Sequence, residues 1–305
     1  MTVPEFPNFK ELELGDRGFL HPRIWSFQPQ TSELTFNNFY LWRSYYGFEW
    51  SVLGGTVLVI AHGHSGDIFG YPPIGAPRTG SRGAAAEQFL AWMRSERGEA
   101  QPTIARADEA LAVELGQLPR FQVQETRDQF DYVYRTEDLG ELAGRRYSAK
   151  RNHINQFTRA YRFEYQPITP HLVDACLALA EVWCEQRLCE DDLSLQHELC
   201  GIQDALANFE RLELDGGALL VQGQVQAFAL GELLNETTAV IHIEKANPEF
   251  KGIYPMMTKT YASRWQGTTS HISMEQDLGE PGLRRAKESY YPDFLAKKYE
   301  IRLAE

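Results

Sequence analysis

The chain has 305 residues, 43% hydrophobic and 24% charged, the proportions of a folded globular protein, and this excludes disordered and fibrous classes. A formal net charge of −12 argues against general coating of nucleic acid, which needs a basic surface to displace counterions, but leaves room for a local basic patch. The best apolar run, Val52 to Ala61, is short and broken by Gly54 and Gly55, and the start Met-Thr-Val-Pro-Glu lacks a basic-then-apolar signal, so no membrane span and cytoplasmic residence are expected.

In chain order, the first half opens with a predicted helix at Phe36–Tyr46 and strand-like segments at Trp50–Ala61 and Asp67–Tyr71. A helix at Ala84–Glu96 follows, then strands at Thr103–Arg106 and Phe121–Gln124 with a short helix between them. The alternating run Phe130, Tyr132, Tyr134 suits a final strand that closes a compact α/β unit. A long amphipathic helix is predicted from Glu137 to Arg162, because Tyr147, Ile154, Phe157 and Tyr161 make one apolar stripe. It would bridge two halves. Three segments result: 1–140, the basic bridging helix 141–162, and 163–305.

The second half reads as an extended segment at Phe163–Ile168, a helix from Pro170, and another helix capped by Asp191 or Ser194. Strands follow at Leu212–Val221, Val225–Leu234 and Thr238–Ala246, the first pair joined through Gln222-Gly223-Gln224 as an antiparallel hairpin. A helix at Gly252–Trp265 makes a crossover long enough for the next strand, His271–Asp277, to run parallel to its predecessor. A helix at Gly282–Tyr290, stopped by Pro292, and a strand at Lys298–Leu303 end the chain's order. Cys176, Cys184, Cys189 and Cys200 form no C-x-x-C pair, so thiols are expected rather than a metal site.

Polar residues gather where the two parallel strands end, and this is where open sheets place ligands. Alternation puts Val240, His242 and Glu244 on one face and Ile241, Ile243 and Lys245 on the other; His271, Ser273, Glu275 and Asp277 share a face of the next strand. Buried His and Glu are costly without partners, so this face lines a cleft, lies open to solvent, or holds His242 with Glu275 as a structural pair. In a cleft, Glu244 or Glu275 is the candidate general base, and the sequence leaves the choice open. Lys251 and Gly252 precede a helix start that suits an anion, or serve only the turn. Arg284 and Lys287 on the last helix could hold an anionic substrate, the alternative being a solvated face with Tyr290 in the core. The basic segment 145–162, with Arg146, Lys150, Arg151 and His153, is either a phosphate-binding face or a solvated linker.

The order strand, two helices, three antiparallel strands, helix, parallel strand, helix, strand over 163–303 resembles the GNAT acyltransferase fold. The first half resembles a more degenerate copy, so the expected class is α/β with two GNAT-like domains in tandem. FNNFYLWRSYY, RRYSAKRNHINQF, HIEKANPEFKGIY and EQDLGEPGLRRAKESYYP resemble a bacterial family related to the C-terminal domain of phosphatidylglycerol lysyltransferase. The resemblance implies acyl transfer, with an aminoacyl group passing from aminoacyl-tRNA to an amine or hydroxyl acceptor, a small molecule or a lipid head group. The helix with Arg146, Lys150, Arg151, Asn152 and His153 would meet the tRNA. For that reaction Glu244 and Glu275 are the candidate catalytic carboxylates, and His242, Lys245, Lys251, Gly252, Tyr254, Asp277, Arg284, Lys287 and Tyr290 the candidate donor- or substrate-binding residues. No metal and no tightly bound cofactor are expected. The Gln/Arg-x-x-Gly-x-Gly/Ala loop that wraps coenzyme A is missing from Asn247–Gly252, which weakens the rival acyl-CoA donor; the third reading is a non-catalytic module that binds RNA or protein.

Overall fold

The protein is described by a computed structural model covering residues 2–63, 66–75 and 81–304. Along the first stretch run β1 (Lys10–Glu11), α1 (Arg17–Phe27), α2 (Phe36–Tyr46), β2 (Glu49–Leu53), β3 (Thr56–His62), β4 (Ile68–Gly70), α3 (Arg82–Glu96), β5 (Thr103–Asp108), α4 (Glu109–Gly116) and β6 (Phe121–Glu125). Next come β7 (Asp131–Arg135), α5 (Thr136–Glu141), α6 (Ser148–Ala160), β8 (Phe163–Pro167), α7 (Pro170–Gln186), α8 (Leu193–Ala207) and α9 (Phe209–Leu212). The remainder is β9 (Asp215–Val221), β10 (Gln224–Asn235), β11 (Thr238–Ala246), α10 (Ile253–Arg264), β12 (His271–Ser273), α11 (Pro281–Glu288), β13 (Phe294–Ala296) and β14 (Lys298–Leu303).

Two compact units result. The first comprises Met1–Asp131, Gln276–Glu280 and Leu295–Glu305, and the second Tyr132–Glu275 and Pro281–Phe294. The first unit's sheet has the order β1-β2-β3-β4-β5-β14-β6. Its core gathers Leu58 and Ile60 of β3, Phe89 and Met93 of α3, Leu111 and Leu115 of α4, and Ile104 and Ile301 from the middle strands. Side-chain oxygens start α2, α3 and α4: Thr35 accepts from Asn38 N, Ser81 from Ala84 N and Asp108 from Leu111 N, each occupying an amide with no partner inside the helix.

The second unit's sheet has the order β13-β7-β12-β11-β10-β9-β8. The β9–β10 turn places Gln222 and Gly223 at φ of 53° and 80°, the pair of left-handed residues that matches a hairpin's twist. β11 pairs antiparallel with β10 and parallel with β12, as the crossover length requires. α7 packs on β10 and β11, and α10, with α5 and α6 against it, also packs on those strands.

Three expectations need correcting. The run Phe130–Tyr134 does not close the first sheet: β7 pairs with β12 in the second, while β14 inserts between β5 and β6 in the first, so the two strands are exchanged. The predicted helix Glu137–Arg162 breaks after α5, because Leu142 and Gly144 are left-handed at φ of 53° and 79°, and restarts through a 3-10 turn at Arg145–Tyr147. The strand expected over His271–Asp277 leaves its ladder with β11 after Ser273 opposite Val240, and Glu275 is left-handed at φ 57°. Smaller differences are the cap of α8, which is Asp192, and Cys184 with Cys189, which form a disulfide; Cys176 and Cys200 are free thiols.

Candidate functional site

β11 and β12 stop pairing beyond Val240 and Ser273, and His242 and Glu244 lie on β11 past that point. Alternation along β11 then distributes the chemistry to two faces. Glu244 faces α10, where Thr258 Oγ1 donates to its two carboxylate oxygens at 3.0 and 3.1 Å. Lys245 faces α7 and α8, with Nζ 2.7 Å from Glu198 and 3.5 Å from the centre of the Trp183 ring.

His242 is nearly inaccessible and sits between two carboxylates, with Nε2 2.9 Å from Glu232 and Nδ1 2.8 Å from Glu275. Burial alone would push the imidazole down, but the two hydrogen-bonded carboxylates outweigh it and raise the group to about 10. It is therefore an imidazolium at neutral pH, and the structural pairing of His242 with Glu275 is what the fold contains.

Glu244 is different in kind. Burial pushes its carboxyl up to about 7, against the lowering effects of the Thr258 hydroxyl and of the Lys287 and Lys150 charges. Its hydrogen bonds come from one neutral hydroxyl, so near pH 7 it exists in both protonation states and can take up or release a proton. Lys150, half-buried on α6, is turned inward, with Nζ 3.7 Å from the centre of the Tyr290 ring. Burial lowers its pKa while the Glu244 charge raises it. Tyr290 is buried beside Thr258, and Tyr134 donates its hydroxyl to Lys287 O at 2.9 Å. Lys287 in turn donates from Nζ to the Met274 carbonyl and, at 3.2 Å, to that of Glu275. Tyr254 accepts from Trp183 Nε1 at 3.1 Å and feels the Glu244 charge.

The structure thus brings together Glu244, Lys150, Lys287, Tyr290 and Tyr254, and sets His242 and Glu275 beside them as an ion pair. Lys245 belongs to the other face of the sheet. Asp277 belongs to the first unit, where it is buried, pairs with Arg127 at 3.3 Å and accepts from Gly279 N at 2.8 Å. Arg284 is half-buried on α11, and Lys251 is exposed in the turn before α10.

Gly252 caps α10 at φ 89°, and a Cβ there would stand 2.2 Å from the His153 carbonyl oxygen of α6. Close helix packing explains this glycine, and α6 takes the space beside the start of α10. Of the remaining residues of the basic segment, Arg151 donates to the Leu142 and Gly144 carbonyls, Arg146 in the 3-10 turn pairs with Asp138 at 2.7 Å, and Asn152 and His153 are exposed. The basic segment is thus split between structural and solvent-facing roles.

Sequence reading missed Thr258, Glu232, Trp183 and Glu198. Thr258 was accessible to it, because it lies four residues after Tyr254 and hence on the same face of α10. A cavity of 400 Å³ in this unit, lined by Thr136, Gln266, Thr269 and His271, lies at the opposite end of β12 and includes none of the residues around Glu244. Among the described residues no group of three or more His, Cys, Asp or Glu could hold a metal ion, and no helix is long and apolar enough to cross a membrane.

A family described as phosphatidylglycerol lysyltransferase, C-terminal, matches residues 26–302. A crystal structure of a conserved protein of unknown function from Bacteroides thetaiotaomicron is 31% identical, with a TM-score of 0.89 over 99% of this chain and 100% of the other. The C-terminal domain of a putative lysylphosphatidylglycerol synthetase from Agrobacterium fabrum has a TM-score of 0.66 at 12% identity, covering 96% of this chain and 93% of that one. A tandem GNAT protein from the clavulanic acid biosynthesis pathway has a TM-score of 0.50 at 10% identity over 98% of both chains.

Proposed function

From a chain that belongs to the phosphatidylglycerol lysyltransferase C-terminal family and folds as two GNAT-like domains in tandem, we propose an acyltransferase that moves an aminoacyl group from aminoacyl-tRNA to an amine or hydroxyl acceptor. The observation that carries this reading is Glu244, a carboxyl raised to about 7 at the point where β11 and β12 part. As carboxylate it accepts the proton of the attacking acceptor while the new C–N or C–O bond forms. The ester bond to the tRNA ribose breaks, and the proton passes from Glu244 to the leaving ribose oxygen, which returns the enzyme to its starting state. Lys150 supplies positive charge near the negative charge that builds on the carbonyl oxygen.

Two features favour Glu244 over Glu275 as the base. Glu275 is already bonded to the His242 imidazolium, and its backbone is held in a left-handed turn. Glu275 and Glu232 then act by holding His242 in place. The donor choice is favoured by α6: the His153 carbonyl stands against Gly252, at the helix start where a coenzyme A pyrophosphate would need free amides. The solvent-facing His153 and Asn152, with the exposed Arg145 and Arg159, are the proposed contacts to tRNA.

The experiment is transfer of a radiolabelled amino acid from a charged tRNA pool to phosphatidylglycerol vesicles or to small amines, with acetyl-CoA as the competing donor. Label should move from tRNA, and Glu244→Gln should reduce the rate about a hundredfold or more, the usual contribution of a general base. Full activity in that variant, or transfer from acetyl-CoA alone, overturns the reading.

A further inference from the structure

The first unit has an irregularity of its own where β14 meets β5. Tyr299 lies opposite Ala107 and Ile301 opposite Ile104, so Ala105 and Arg106 together face the single residue Glu300. Arg106 is left-handed at φ 57°, a conformation that is unfavourable for a bulky side chain and persists where the surroundings enforce it. Bulges of this kind re-aim a side chain. Here the residue lines a cavity of 590 Å³, within the usual range for small-molecule sites, together with Glu99, Thr126, Gln129, Glu300 and Arg302.

The guanidinium is held from behind. Nη2 donates to Tyr46 at 2.7 Å and Nη1 to Tyr71, and both rings lie within cation–π reach, at 5.1 and 5.4 Å. Glu33 faces Nε at 3.8 Å, close enough to balance charge but beyond hydrogen-bond distance. A guanidinium has five N–H donors, so the two tyrosines leave Arg106 with capacity, at a side chain only 12% exposed. Arg302 spends Nε on Thr103 at 3.1 Å and Nη2 on Glu300 at 2.9 Å.

The same cavity carries acceptors. Gln129 Oε1 is buried without a hydrogen-bond partner, a costly state for an amide oxygen. Glu99 engages one carboxylate oxygen, Oε1, with Ile68 N at 3.1 Å, and Glu300 engages Oε2 with Arg302. A simple anion would meet these carboxylates and a simple amine would meet the guanidinium ions. A molecule with both charges a few atoms apart satisfies each set.

We infer that this cavity is a binding site for a free α-amino acid, with its carboxylate received by Arg106 and Arg302 and its ammonium by Gln129, Glu99 and Glu300. The site lies wholly within the first unit, separate from Glu244 in the second, and it does not depend on the transfer reaction proposed above.

Isothermal titration of the full chain with each common L-amino acid tests it. At least one should bind, and its N-acetyl and carboxamide derivatives should each bind about tenfold more weakly or worse, since each loses a charge-assisted hydrogen-bond set. Arg302→Gln and Gln129→Leu alter half-buried positions that leave the core intact, and each should weaken binding about tenfold, while Glu244→Gln should leave it unchanged. Absence of binding by any amino acid overturns the inference, as does equal binding of the blocked derivatives. A loss in Glu244→Gln with Arg302→Gln unaffected would assign the ligand to the second unit and overturn it equally.

Discussion

In the first unit Lys298 Nζ bonds Glu33 and lies 2.7 Å from Asp131; in the second His242 lies 2.9 Å from Glu232 and 2.8 Å from Glu275. Both units bury a cation between two carboxylates, yet the consequences differ. Burial and the Glu33 charge raise Asp131 to about 6 even beside Lys298, so the lysine triad retains an acid that titrates below neutrality. In the histidine triad it is the cation that titrates, near 10. Among the described residues only the second unit adds a further carboxyl, Glu244, bonded by a neutral hydroxyl and raised to about 7. The comparison shows that a buried acid next to a cation serves the scaffold, and that the acid without one at bonding distance is suited to proton transfer near pH 7.

The comparison can be tested first where the effect is largest. Lys298→Met leaves Glu33 and Asp131 without their cation and should cost about 3–5 kcal/mol at pH 8, read from the urea midpoint. The loss should shrink toward pH 5, because Asp131, raised to about 6 even with the lysine present, then takes up a proton. A loss independent of pH would show that the pair is not the source.

His242→Gln should cost about 3 kcal/mol near pH 7. The pH trend is opposite: a histidine raised from 6.5 to about 10 stabilises fully below 6.5 and loses that contribution as pH rises through 10, so the gap between variant and parent narrows from pH 7 to 10.

Glu244→Gln should stabilise the fold while slowing transfer about a hundredfold or more. An acid raised from 4.5 to about 7 favours the fold when protonated, and that advantage is lost as pH rises through this window. At pH 8 the variant should therefore be more stable than the parent by about 3 kcal/mol, with no difference near pH 4. The smallest expected effect belongs to Thr258→Val. The hydroxyl lowers the Glu244 pKa, so its removal should move the acid limb of the pH–rate profile up by about one unit.

Much of the second unit was legible in sequence. The bounds of β11, Thr238–Ala246, and the opposite facing of Glu244 and Lys245 follow from an alternating run, a local signal. The helix Phe36–Tyr46 was equally plain, because Thr35 before it and Gly47 after it are local start and stop signals. What failed was non-local or depended on backbone angles that residue type does not encode. Glu275 and Arg106 take left-handed angles that glutamate and arginine rarely adopt, so the end of β12 and the bulge in β5 had no sequence mark. Gly144 did mark the break before α6, but the apolar stripe from Tyr147 to Tyr161 invited extending the helix back across it. Pairing partners of β7 and β14 are set by contacts between distant segments, and no local pattern specifies them. The same holds for the paired state of Glu275, which hides the difference between two acids that look alike in sequence.

The place of β14 between β5 and β6 in the first sheet bears on how the chain is made. β1 to β6 emerge from the ribosome early, yet β5 and β6 have no direct ladder between them and meet only through residues 298–303. While the second unit is being synthesised, both strands expose unpaired edges, a template for pairing with other chains. Ile301, the β14 residue at the heart of that core, arrives only after every residue of the second unit has been translated. The unit begun first is thus the one completed last, and its edges need protection, by a chaperone or by rapid elongation, for as long as translation of the intervening residues takes.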